Sequence, residues 1–193
     1  MCKQTQENGR KTFLKKFAGG GLTSPRPSVI LYSERQEEVN QMKKSLVFDM
    51  DGTIANFYGV HGWLEYLEQS NPYPYEVAKP LYNMDILREV LELLKAQGWK
   101  IIVTSWLAKN STPEFKDSTR KAKREWLEKY RFPYDEIHLV QYRTTKANCT
   151  RKSGGFQILV DDNAAVRDGW HLGSTIDANR DIMPELMRIA AGN

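Results

Sequence analysis

Long apolar runs are missing from this 193-residue chain, and none approaches the length needed to span a bilayer. The start of the chain also lacks the apolar middle of a signal peptide. Cysteine is scarce. Cys2 and Cys149 form no spaced pattern, which excludes a disulfide framework and a cysteine zinc site and points to a reducing cytoplasm. A one-sided charge is missing from most of the chain as well. The net charge is +4, but residues 1–44 hold nine Lys/Arg against four Asp/Glu, leaving 19 against 20 for the remainder. The basicity therefore belongs to the leading segment, which argues against a general nucleic-acid binder in the rest. What is present is 40% hydrophobic residues, enough for one domain with a sizeable core.

Residues 1–43 read as a flexible basic arm. Gly19-Gly20-Gly21 and "SPRPS" break any element, and only "SVILY" resembles a strand. Met42, followed by Lys43-Lys44, reads as an alternative translation start. Residues 44–193 read as the folded domain. An apolar strand from Leu46 to Asp49 leads into a Tyr- and Pro-rich stretch. A helix then spans Met84 to Gln97, with Leu87, Val90, Leu91 and Leu94 on its apolar stripe and Gly98 as its stop. A second strand covers Lys100 to Thr104, and a second helix covers Asp117 to Tyr130 with Ala122, Trp126, Leu127 and Tyr130 facing inward. Further strands are expected at 136–141, 156–160 and 174–176, and a last helix at 184–190. This alternation predicts right-handed βαβ units and a parallel sheet covered on both faces. Ligands in such folds bind beyond the carboxyl ends of the strands. Asp49 and Asp51, Thr104-Ser105, and Asp161-Asp162 all fall there.

Carboxylates one residue apart, joined by a second pair from another strand, repel one another unless a cation lies between them. All-oxygen ligation suits magnesium, which shares its coordination sphere with substrate phosphate. A plain turn is the ordinary reading of Asp49-x-Asp51-Gly52, but it does not account for the second acidic pair. An EF-hand loop would need an acidic twelfth residue, and Val60 stands there. Thr104 at a strand end is placed to hold a phosphoryl oxygen, with Ser105 assisting. A phosphate beside carboxylates also needs a fixed positive charge. Lys146 in "RTTKANC" and Lys123, on the inward face with Trp126 and Leu127, compete for that role. Lys146 is the preferred essential cation and Lys123 a phosphate contact. Their ordinary readings are a solvated loop charge and a snorkelling stem.

Four motifs in order resemble the haloacid dehalogenase (HAD) superfamily of phosphotransferases: "DMDGT" at Asp49–Thr53, "IIVTS" with Thr104, a lysine, and "ILVDD" ending in Asp161-Asp162. Within it, "FDMDGTIANF", the Thr-Ser pair and "KREWLEKY" are most similar to the 5′(3′)-deoxyribonucleotidases. Trp106 stands where that group has a proline, and Asn163 where a basic residue is common. The resemblance implies a HAD-like Rossmannoid three-layer sandwich, mainly parallel, with a small cap inserted after the first strand at about 56–82. It implies Asp49 as nucleophile and Asp51 as general acid/base, with Thr53 in the first motif among the phosphate-binding residues. It further implies magnesium held by Asp49, Asp51 through its main-chain carbonyl, and Asp162, with Asp161 supporting. A dehalogenase has no need of the second aspartate, so Asp51 favours phosphoryl transfer.

The cap segment is rich in aromatics, and Phe57 and Trp63 are the candidates to touch a base. The expected substrate is a (deoxy)nucleoside monophosphate. Sugar phosphates and nucleic-acid 3′-phosphate ends remain as alternatives, the latter favoured by the basic arm. A non-catalytic phosphate-binding module is the alternative from another class, and a homodimer contact is another use for the cap aromatics. A two-component receiver fails on the order of its motifs.

Overall fold

The computed structural model describes residues 43–192. The expectations placed on the leading segment, namely the flexible arm, the "SVILY" strand and the start at Met42, fall on residues outside these. Five strands form the sheet: β1 (Lys44–Phe48), β2 (Trp99–Trp106), β3 (Glu136–Val140), β4 (Phe156–Asp161) and β5 (Gly173–Asp177). They are ordered β3-β2-β1-β4-β5 and every neighbouring pair is parallel.

Side-chain alternation along each strand divides the core between the two faces of the sheet. On one face Leu46, Phe48, Ile101, Val103, Ile158 and Val160 are buried. They pack against three helices: α3 (Met84–Ala96) through Leu87, Leu91 and Leu94, α4 (Pro113–Lys129) through Trp126 and Leu127, and α7 (Met183–Ala190) through Leu186. On the other face Val47, Ile102 and Leu159 meet Ala147 of α5 (Lys146–Thr150) and Trp170, which follows α6 (Ala164–Asp168). Each large side chain so buried contributes about 1.5–3 kcal/mol of hydrophobic stabilisation. Helices on both faces of a parallel sheet make this a doubly wound three-layer α/β sandwich.

The element boundaries have local causes. Asn83 caps α3 by accepting from the N–H groups of Asp85 and Ile86, and Gly98 leaves that helix at φ +86°. The expected start of the second helix at Asp117 is corrected to Pro113. Thr112 caps it by accepting from Phe115 N–H, with proline in the first turn. β2 runs two residues past its expected end at Thr104, because Thr104, Ser105 and Trp106 pair with His138, Leu139 and Val140 of β3. Its other neighbour β1 stops at Phe48, opposite Val103, so Thr104 and Ser105 still lie beyond the carboxyl end of β1.

Residues 56–82 contain two short helices, α1 (Trp63–Glu68) and α2 (Tyr73–Val77). The segment leaves and returns at one place. Ala55 bridges Pro80 in antiparallel fashion, Asn56 N–H donates to Lys79 O at 2.7 Å, and Leu81 N–H donates to Ile54 O at 2.9 Å. No helix among the described residues is long and apolar enough to cross a membrane.

Candidate active site

The strand order reverses between β1 and β4, and connections leaving a parallel sheet at such a point diverge and open a crevice at its carboxyl edge. Asp49 and Asp51 follow β1, while Asp161 ends β4 and Asp162 follows it. Strand alternation assigns their sides. Asp49 continues the parity of Val47, Thr104 that of Ile102 and Asp161 that of Leu159, so these three belong to the face that carries α5. Ser105 belongs to the opposite face, with α4.

The two lysines are shared out accordingly. Lys146, the first residue of α5 and only 3% exposed, places Nζ 2.7 Å from Asp49 Oδ1 and 2.7 Å from Asp161 Oδ2. Burial works against its charge, but Asp49 and Asp161 together hold its pKa above the ordinary lysine value. Lys123, fully buried on α4, places Nζ 2.5 Å from Asp51 Oδ2 and 2.9 Å from Ser105 Oγ, 4.8 Å from the centre of the Tyr75 ring. Both lysines thus lie at the site, each bound to a different aspartate. The sequence could not divide them in this way.

Asp51 is asymmetric. Its Oδ2 takes Lys123, while its Oδ1 is buried and has no hydrogen-bond partner. Burial pushes its pKa up, Lys123 opposes that, and the nearby Asp49 carboxylate adds to the rise. Thr104 is fully buried and its Oγ1 also lacks a partner. A buried polar atom left unpaired is costly, which makes this hydroxyl a feature in need of an explanation.

Asp49, Asp161 and Asp162 can each offer an oxygen within 4.8 Å of the others. The all-oxygen donor set and the close spacing fit a magnesium ion. Both oxygens of Asp161 are engaged, by Lys146 Nζ and by Asn163 N–H at 2.9 Å. Asp162 is the freer ligand. Thr53 orients it, its Oγ1 accepting from Asp162 N–H at 3.1 Å and donating to Oδ1 at 3.5 Å. Burial, then Asp49, raise the pKa of Asp161 to about 6, and the same two causes raise that of Asp162 to about 7.

Beside Asp49 and Asp51 opens a cavity of about 330 Å³ with walls that include Phe57, Tyr58, Trp63, Tyr75, Trp106 and Tyr142. Phe57 is itself buried, stacked on Tyr75 at 4.6 Å between ring centres and edge-on to Trp63 at 5.5 Å. Burial raises the phenol pKa values of Tyr58 and Tyr75, so both stay neutral hydrogen-bond donors.

Sequence reasoning missed three contributors. Trp106, noted only as a departure from proline, donates from Nε1 to Thr144 O at 2.8 Å and lies over Lys146, 5.2 Å from Nζ to the ring centre. Its place directly after Thr-Ser on an apolar strand was the available signal. Arg167 donates to Asp161 O at 2.8 Å and pairs with Asp177 at 3.0 Å, steadying the end of β4. Asn163, the other departure, caps α6 by accepting from Val166 N–H.

A doubly wound α/β domain, with four aspartates and two buried lysines at its switch point, is the class that fold and site define. No protein-family model matches the chain, and no curated protein does. Among solved structures, the chain is similar to a D,D-heptose 1,7-bisphosphate phosphatase from Burkholderia thailandensis, at 16% identity over 65% of this chain and 70% of that one, with a TM-score of 0.40. It is also similar to a structural-genomics target from Vibrio cholerae, at 19% identity over 77% of this chain and 98% of that one, with a TM-score of 0.35. Likeness at this level carries no inference about activity, so the functional reading rests on the site itself.

Proposed function

We propose that this protein is a phosphomonoesterase of the haloacid dehalogenase kind, magnesium-dependent and working through an aspartyl-phosphate, with (deoxy)nucleoside monophosphates as substrates. The observation that carries the reading is the difference between two aspartates one residue apart. Asp49 is paired with Lys146, whereas Asp51 keeps one oxygen unpartnered in a site that raises its affinity for a proton. Neighbouring carboxylates in such unlike environments suit a nucleophile and a general acid.

In the first step an Asp49 oxygen bonds to phosphorus as the ester P–O bond breaks, and Asp51 gives its proton to the departing alkoxide. In the second step Asp51 takes a proton from water, the water oxygen bonds to phosphorus, and Asp49 leaves as carboxylate. Thr104 Oγ1 donates to a phosphoryl oxygen, which supplies its missing partner, and Lys123, itself bonded to Ser105, holds Asp51 in place. Asp49, Asp161, Asp162 and the Asp51 carbonyl would hold magnesium, whose charge offsets that of the transferring phosphoryl group. Segment 56–82 acts as a small cap, and its aromatics, Trp63 above all, supply faces on which a base stacks.

Phosphate release from nucleoside 5′- and 3′-monophosphates, sugar phosphates and a 3′-phosphorylated oligonucleotide tests the proposal, with magnesium or EDTA and with Asp49→Asn as the blank. Magnesium-dependent turnover of the nucleoside monophosphates is expected. Turnover of another ester keeps the mechanism and discards the substrate. Silence across the panel, from folded protein that binds magnesium, supports a binding module instead.

A further inference from the structure

A second cavity, of about 420 Å³, adjoins the catalytic one and shares Ala108, Lys109 and Tyr142 with it. Its charged lining is all of one sign: Lys109, Lys116 and Arg143, beside the polar side chains of Asn110, Ser111 and Gln141. None of the three cations forms a salt bridge among the described residues. The acidic residues nearest in sequence do not neutralise them. Glu114 and Asp117 are not part of the wall, and Asp117 is bound by Arg120 at 2.7 Å.

Three uncompensated cations converging on one concavity repel each other, and an anion between them removes that cost. The wall also holds two of the described non-glycine residues with left-handed backbone, Asn110 at φ +54° and Arg143 at φ +67°. A long side chain such as arginine adopts that conformation at a cost, and here it places a guanidinium over the face of Tyr142, 5.8 Å from the ring centre. Tyr142, which lines both cavities, in turn meets Trp106 of the catalytic one edge-on at 5.3 Å.

We propose that this cavity is a second phosphate subsite, and that the preferred substrate is a phosphate monoester carrying a further phosphate on the same molecule. The inference rests on the phosphatase reading and extends it. One phosphate reacts at Asp49 while the other is held unreacted by Lys116, Arg143 and Lys109. That second phosphate has two sources, the free terminal group of a nucleoside 3′,5′-bisphosphate or the internal diester of a short 5′-phosphorylated dinucleotide, and both belong in the test.

The experiment compares KM for a nucleoside 5′-monophosphate, the matching 3′,5′-bisphosphate and the 5′-phosphorylated dinucleotide, in wild type and in the Lys116→Gln/Arg143→Gln double variant. Binding of the same three compounds to Asp49→Asn is measured in parallel by calorimetry. The expected result is a KM about tenfold lower for at least one doubly phosphorylated compound. That advantage should shrink with added salt and vanish in the double variant, with kcat on the monophosphate unchanged. Which compound benefits identifies the source. Equal KM values with turnover intact overturn the subsite and leave the phosphatase standing. If none of the three turns over, yet Asp49→Asn still binds a doubly phosphorylated compound more tightly, the nucleotide substrate falls and the subsite stands. Equal binding of all three compounds by Asp49→Asn overturns the subsite.

Discussion

Replacing Lys123 by methionine keeps the volume of a fully buried side chain and deletes the ammonium 2.5 Å from Asp51 Oδ2. Asp51 would then have neither oxygen partnered by a cation, and breaking a buried pair from one side costs about 3–5 kcal/mol when the remaining charge stays. Asp51 has an escape, because it can take up a proton. Burial already raises its pKa and Lys123 is the largest influence holding it down. An opposite charge this close favours the carboxylate, so losing it should raise Asp51 further. The net destabilisation near neutral pH is then nearer about 2 kcal/mol, including the lost contact of the ammonium with Tyr75.

Two signs follow from that rise. A general acid works while protonated, so the alkaline limb of kcat/KM should move to higher pH. For stability, a carboxyl whose folded pKa exceeds its unfolded value stabilises fully below the unfolded value and loses that contribution as pH rises through the folded one. The variant should therefore approach wild-type stability at low pH and fall behind as pH increases. Initial rates from pH 5 to 9 and urea unfolding at several pH values check both. Adding Asp51→Asn should recover most of the lost stability. An alkaline limb that stays put or moves down, or a double variant no more stable than the single one, would refute the reasoning.

The unpartnered hydroxyl of Thr104 predicts a separation of stability from function. Thr104→Val should leave the protein as stable as wild type or about 1 kcal/mol more so by urea unfolding, while kcat falls by about one to two orders of magnitude. Loss of stability with activity retained would mean the hydroxyl is structural. For the acidic cluster, pKa values of about 6 and 7 at Asp161 and Asp162 lie above the unfolded range, so in EDTA the stability they give is lost as pH rises through those values. The metal-free protein should melt lower at pH 8 than at pH 5.5, magnesium should restore the difference, and Asp162→Asn should flatten it. Gly52, at φ +79°, would place a Cβ 2.5 Å from Asp162 Oδ2 and 2.7 Å from the Tyr58 ring. Gly52→Ala should cost about 2 kcal/mol or more in thermal unfolding and weaken magnesium binding by calorimetry; unchanged affinity would count against the cluster as its site.

Strand centres were legible because their apolar runs are short and sharply bounded, and α3 because its leucines recur at helical spacing. Ends depended on partners. Nothing in "VTSW" says that β2 continues along β3 after β1 has stopped. The cap of α4 was readable in Thr112-Pro113, but its polar first turn hid the period. The five-residue helices α2, α5 and α6 are too brief for any period to register. In the site, the residue types and their order were visible. What was hidden was the pairing, since which lysine faces which aspartate depends on the sheet face each helix covers.

The pinned ends of segment 56–82 carry a consequence for exchange of parts. Ala55 and Pro80 sit side by side on a bridge, so the sheet registers only that the chain departs and comes back there, not how much chain lies between. The entropic cost of closing a loop grows slowly with its length. A segment of another size or composition could therefore be grafted between these two residues while Asp49, Asp51, Asp161 and Asp162, carried by two central strands that share five paired positions, keep their spacing. The condition on such a graft is local: the Tyr75 ring centre lies 4.8 Å from Nζ of Lys123, the partner of Asp51, and Ala78 O accepts from Trp126 Nε1, so a replacement segment has those two contacts to supply.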